Sequence, residues 1–106
     1  MKYRLRTHGS CLDSELSPIR IKGGDILLAE TFDDWKTNDE ALSKYEGRLV
    51  AVTFKFKPGK GLVKILEKYD RHSHFVFLKQ VNPIMVMGFP LSEINDIMIV
   101  EGLADE

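Results

Sequence analysis

The chain has 106 residues, a length that suits one compact domain, and 43% of them are hydrophobic, so a packed core is expected. Lys+Arg number 15 against 16 Asp+Glu, and the net charge of -1 gives no overall attraction to nucleic acid or to an anionic membrane. The single cysteine, Cys11, excludes an intrachain disulfide and fits a reducing compartment. The opening MKYRLRTHGS lacks the apolar stretch of a signal peptide, and no run approaches the ~18 residues of a membrane-spanning helix. The expectation is a cytoplasmic protein whose residues 1–106 form one domain, with no membrane contact.

Short segments separated by recurrent turn residues read as a mainly β chain. Tyr3 to Thr7 alternates Tyr3, Leu5 and Thr7 against Arg4 and Arg6, the period of a strand. His8 to Pro18 follows as a polar loop. Gly23-Gly24-Asp25 reads as a turn, with Ile26 to Ala29 as a buried strand behind it. Thr37 to Glu40 resembles a capping box for one short helix, whose apolar side is Ala41, Leu42 and Tyr45 and whose stop is Gly47. Leu49 to Lys57 places Val50, Val52, Phe54 and Phe56 on one face of a strand. Pro58-Gly59-Lys60-Gly61 reads as a hairpin turn, and Leu62 to Lys68 as the returning partner. Phe75 to Leu78 is a further apolar run, broken by Asn82-Pro83. Ile97 to Val100 is the last strand, and Leu103 to Glu106 a loose end.

Two positions carry candidate chemistry. Gly9-Ser10-Cys11 closes the first strand, where a serine beside a glycine can present its hydroxyl together with backbone N–H groups. Acyl transfer needs both, as nucleophile and as donors to the developing oxyanion. Lys64 stands in Leu62-Val63-Lys64-Ile65-Leu66, an apolar strand, and period 2 puts it on the face of Leu62 and Leu66. Desolvation disfavours an ammonium, and a neutral amine can take a proton from a serine hydroxyl. The alternative for such a lysine is an edge-strand side chain whose head reaches water along its own stem.

The order of landmarks resembles the C-terminal domains of the LexA/UmuD-like serine peptidase superfamily. In sequence order the matching pieces are Tyr3–Thr7, His8-Gly9-Ser10-Cys11, Gly24-Asp25-Ile26-Leu27-Leu28, Gly47-Arg48-Leu49-Val50-Ala51-Val52, Leu62-Val63-Lys64-Ile65-Leu66, Lys79-Gln80-Val81-Asn82-Pro83 and Ile97-Met98-Ile99-Val100-Glu101-Gly102. The resemblance covers nearly the whole chain, and its specificity lies in the collinear order. It implies a LexA/signal-peptidase-like fold of bent antiparallel strands with one short helix. It also implies a Ser/Lys dyad hydrolysing a peptide bond, related to the processing of SOS and phage repressors. Carried over by residue, Lys64 is the general base and Ser10 the preferred nucleophile. Ser14 is the alternative nucleophile, because it lies nearer the family's usual distance from the Gly-Asp turn. The oxyanion donors are the backbone N–H groups of Ser10 and Cys11. No cofactor and no metal are implied. Homodimerisation is, with a protein substrate or a regulatory partner.

Three departures qualify the match. The Ser10-to-Gly24 and Ser10-to-Lys64 spacings are long, with an insertion around Trp35 to Tyr45. His8 stands where the family has glycine. The family's DNA-binding helices and self-cleavage segment have no counterpart before Ser10, so a stand-alone domain is expected. The rival expectation is a catalytically inactive dimerisation or regulatory domain that partners a transcription or DNA-repair protein. A second rival reads Lys55, Lys57, Lys60, Lys64 and Lys68, with Phe54 and Phe56, as a basic, aromatic hairpin for single-stranded nucleic acid, although direct nucleic-acid binding is not expected. His8, Cys11, His72 and His74 lack the ligand spacing of a zinc site. Trp35 reads as a lid at the core edge, and Met85, Val86 and Met87 as strand core with a dimer seam open.

Overall fold

The computed structural model describes residues 2–7, 9, 12–14 and 16–104, with backbone alone for 58–60. Seven strands form one antiparallel sheet: β1 (Lys2–Arg6), β2 (Ile26–Phe32), β3 (Leu49–Phe54), β4 (Lys57–Asp70), β5 (Phe75–Val81), β6 (Ile84–Pro90) and β7 (Ile94–Leu103), in the spatial order β1-β2-β7-β3-β4-β5-β6. The mainly β reading is therefore what the chain adopts. Among the described residues, no helix is long and apolar enough to cross a membrane.

Alternation along the central strands feeds two cores, one on each face of the sheet. Val50, Val52 and Phe54 of β3 join Leu66, Val76, Leu78, Ile94 and Ile97 on one face, under a cover made by Phe32, Trp35, Ala41 and Leu42. Leu49 and Ala51 of the same strand point the other way, onto Ile65, Leu27, Ala29 and Val100, closed by Leu12 and Ile21 from the loop after β1. Register shifts occur at Leu28/Ala29, Thr53/Phe54 and Leu66/Lys68. Such bulges bend and twist the strands that carry them. The sheet curls far enough that Arg4, Leu5 and Arg6 of β1 line one cavity with Gly61, Leu62 and Val63 of β4. Four inter-strand steps in a flat sheet would hold them roughly 19 Å apart.

Several local expectations are corrected. The hairpin turn falls at Lys55–Phe56, not at Pro58–Gly61, and β4 runs unbroken from Lys57. Phe56 therefore leaves the core face and is 54% exposed. The short helix is a 3-10 helix over Asp39–Tyr45, and its N-cap is Asn38, whose side chain accepts from Glu40 N at 3.2 Å. Thr37 instead donates its hydroxyl to Asp34 O at 3.2 Å. Gly47 does end that segment, at φ +88. Trp35 is 7% exposed and belongs to the cover over the first core. Met85 and Val86 are 48% and 50% exposed, like Ile84 at 65%, and are not core, whereas Met87 is half-buried; β6 is an edge strand. The loop after β1 is less polar in its packing than in its composition, since Leu12 is 2% exposed.

Candidate active site

The loop that carries Ser10 is fixed at both ends. At its start, Thr7 N donates to Asp25 O and Gly24 N donates to Thr7 O, both at 2.9 Å. The Thr7 hydroxyl lies 3.0 Å from Lys22 O and 3.1 Å from Asp25 O, either of which can accept its proton. The turn holding these carbonyls is closed by Asp25, whose carboxylate accepts from Lys22 N at 2.8 Å. At the loop's far end, Leu12 is buried in the second core and its carbonyl accepts from Ile21 N at 3.0 Å. The loop and the Gly-Gly turn also touch directly. A Cβ on Gly23 would stand 3.0 Å from Gly9 O, closer than real Cβ atoms ordinarily come. Gly9 itself has φ +80, the left-handed region that favours glycine.

Lys64 lies in β4 opposite Val50 of β3, a pairing that agrees with its expected place beside Leu62 and Leu66. It is 7% exposed, against the edge-strand alternative of a lysine reaching water. Its Nζ donates to Gln80 Oε1 at 2.9 Å. Ile65 pairs with Lys79, so Lys64 and Gln80 are direct neighbours across the β4–β5 pair. Gln80 Nε2 donates in turn to Pro83 O at 3.1 Å, which aims the amide oxygen at the lysine. Gln80 falls within the Lys79–Pro83 piece of the resemblance, which assigns it no role at the site. Its only signal was a polar residue interrupting the apolar run of β5 at the register of Lys64.

Lys64 and the two ends of the serine loop converge. A cavity of about 150 Å³ is lined by Lys64, Gly9, Leu12, Thr7, Ile21 and the Gly61–Val63 stretch of β4. Gly9 and Leu12 bracket Ser10 and Cys11 in sequence. Ser10, Cys11 and His8, and with them the proposed oxyanion donors, lie outside the described residues. Ser14 is described, and its position differs: its Oγ accepts from Leu16 N at 3.2 Å, and it is not among the residues lining the Lys64 cavity.

The remaining candidates lie elsewhere. His74 has φ 56 and places Nδ1 3.1 Å from Tyr69 Oη. Tyr69 donates a short hydrogen bond to Asp39. Burial, and then the Asp39 carboxylate, push the Tyr69 phenol up to about 12. The phenol's hydrogen bond holds the Asp39 carboxyl below the usual carboxylate range. Phe56 and Lys57 stand at a separate cleft with Phe54, Leu62 and Phe89, the Lys57 ammonium 6.0 Å from the Phe56 ring centroid.

No protein-family model matches this chain, and no curated protein or solved structure matches it significantly.

Proposed function

We propose that this chain is a LexA/UmuD-like serine peptidase domain in which Ser10 is the nucleophile and Lys64 the general base. The observation that supports the reading is one cavity whose lining includes the buried Lys64 together with Gly9 and Leu12, the described residues on either side of Ser10 and Cys11. In this reading, Ser10 Oγ attacks the peptide carbonyl carbon as its proton passes to the Lys64 amine. The oxyanion is held by the backbone N–H groups of Ser10 and Cys11. The lysine then returns the proton to the leaving nitrogen as the C–N bond breaks, leaving an acyl-serine. Water, deprotonated by the same amine, hydrolyses it. The proposed setting is the cytoplasm, with a protein substrate and a homodimeric chain.

A specific observation favours a second reading, an interaction domain without catalysis. β6 is an edge strand with three consecutive exposed apolar residues, Ile84, Met85 and Val86. An unprotected apolar edge is a template for pairing with another chain.

One experiment separates the two. A serine-directed acylating probe is applied to the full chain at raised pH, and adducts are read by intact mass. The hydrolase predicts one adduct, lost in Ser10→Ala and in Lys64→Ala and retained in Ser14→Ala. An unmodified wild-type chain across the pH range eliminates the hydrolase and leaves the interaction domain.

A further inference from the structure

Five lysines fall between residues 55 and 68, and the structure sorts them. Lys64 turns into the site already described, where it donates to Gln80. Lys68 lies farther along β4, two residues from Asp70. The Lys60 side chain lies outside the described residues. Lys55 and Lys57 remain at the β3–β4 turn, one on each side of Phe56, and all three are exposed. Among the described residues, neither Lys55 nor Lys57 forms an ion pair. Asp96 pairs with Lys36 at 2.9 Å, and Glu93 meets Lys55 through its backbone carbonyl, which accepts from Lys55 N at 2.9 Å.

Phe56 is 54% exposed, and among the described residues it is the one large apolar side chain so placed on this hairpin. Its ring is braced: the centroid lies 5.3 Å from that of the buried Phe54, which lies 4.8 Å from that of Phe89. The Lys57 ammonium is 6.0 Å from the Phe56 centroid. Together with Gly61 and Leu62 these side chains line a cleft of about 290 Å³. Lys55 lines a separate cleft with Ser73, His74, Ser92 and Asn95. Among the described residues, no carboxylate lines either cleft.

We propose that the β3–β4 turn binds single-stranded nucleic acid, with one unpaired base stacked on Phe56 and the adjoining phosphates on Lys55 and Lys57. Any base has a flat face to offer such a ring, and phosphates supply the charge that two unpaired lysines lack. A ring already braced by Phe54 loses little freedom when a base settles on it. Duplexes hide their base faces, so the stack selects an unpaired strand. An anionic bilayer also attracts lysines, but interfacial insertion buries an extended apolar face, and here a single exposed ring stands between two cations. With a net charge of -1 the chain has no general pull on a polyanion, so the attraction is local to this turn. The proposal uses neither Ser10 nor Lys64 and stands apart from the peptidase reading.

The test is fluorescence anisotropy of a labelled oligothymidylate titrated with the full chain at several salt concentrations. Binding is expected at low salt. Phe56→Ala should weaken it by about tenfold, the scale of one lost base stack, and Phe56→Trp should retain it. Lys55→Gln with Lys57→Gln should flatten the plot of log K against log salt by roughly 1.4, the share of two single-strand phosphate contacts. Lys22→Gln with Lys44→Gln, exposed lysines outside the hairpin, should leave the slope in place. No binding by the wild-type chain, or equal binding by Phe56→Ala, overturns the proposal. Equal loss of slope in the two lysine pairs also overturns it, by reducing the contact to general charge. A duplex of the same length bound as tightly as the single strand removes the stack and the proposal with it. Phosphatidylserine vesicles that bind the chain through Phe56, with no oligonucleotide bound, assign the turn to a membrane and overturn it by another route. None of these outcomes involves the acylating probe, so the hydrolase is judged separately.

Discussion

Lys64 and Tyr69 lie five positions apart on β4, and both bury a titratable group against a polar partner on another element. Their partners set what each can do. Lys64 donates to the oxygen of an uncharged amide. Tyr69 faces a carboxylate, which holds its proton in place. The linkage signs follow from the two shifts. The Asp39 carboxyl is lowered, so its contribution is present above the ordinary carboxylate value and is lost as pH falls through its own lower one. The Tyr69 phenol is raised from 10.0 to about 12, so its contribution is complete below pH 10 and is lost as pH climbs toward 12. At about 1.4 kcal/mol per pH unit, the alkaline loss is on the order of 2 kcal/mol. We therefore expect the urea midpoint to fall over that window in the wild-type chain and to fall less in Tyr69→Phe. Absorbance at the phenolate band should show a component near pH 12 that Tyr69→Phe lacks. An unchanged titration in that variant would refute the assignment.

Turns and strand ends, more than strand interiors, decide where the candidate chemistry can sit. Gly23 and Gly47 make the comparison. A methyl at Gly23 meets the Gly9 carbonyl, whereas Gly47 has open space around it but φ +88. Gly23→Ala should displace the serine loop and reduce acylation at Ser10 severalfold, with little loss of stability. Gly47→Ala should cost about 1 kcal/mol through its backbone conformation and leave acylation unchanged. Urea denaturation and adduct yield, measured on both variants, check the contrast; equal acylation in the two would count against contact between turn and loop. The same level shows what could be read from sequence. β3 stood out as a run that is apolar at all but one position, because its alternate residues feed the two cores on opposite faces. Lys64 stood out because its neighbours are apolar. The end of β3 did not: Phe54 and Phe56 have the same residue type and the right spacing, yet the turn at Lys55–Phe56 leaves Phe54 inside and Phe56 in solvent. β6 misled for a related reason. Ile84, Met85 and Val86 carry the composition of core, and only the strand order shows that nothing packs on them. Gln80 escaped because its role depends on cross-strand register, which no local window contains.

At the scale of the molecule, β3 and β7 belong to both cores. Val50 and Val52 face one and Leu49 and Ala51 the other, while Ile97 and Ile99 oppose Val100 in the same way. The candidate site depends on the second core, since Leu12 and Ile21 pack into it while they line the Lys64 cavity. Strands shared in this manner should tie the two faces into one cooperative unit, because losing β7 from one core removes it from the other. Leu27, fully buried in the second core, tests this. Leu27→Ala should destabilise the chain by about 2–5 kcal/mol. Trp35 is the only tryptophan and lies in the first core, on the opposite face. Its fluorescence should nonetheless shift to the same lower urea midpoint as the far-UV circular dichroism. A Trp35 transition that stays at the wild-type midpoint while the dichroism moves would mean that the faces unfold separately. In that event the serine loop could loosen while β4 and Lys64 remained folded, and the geometry of the cavity would depend on the second core alone.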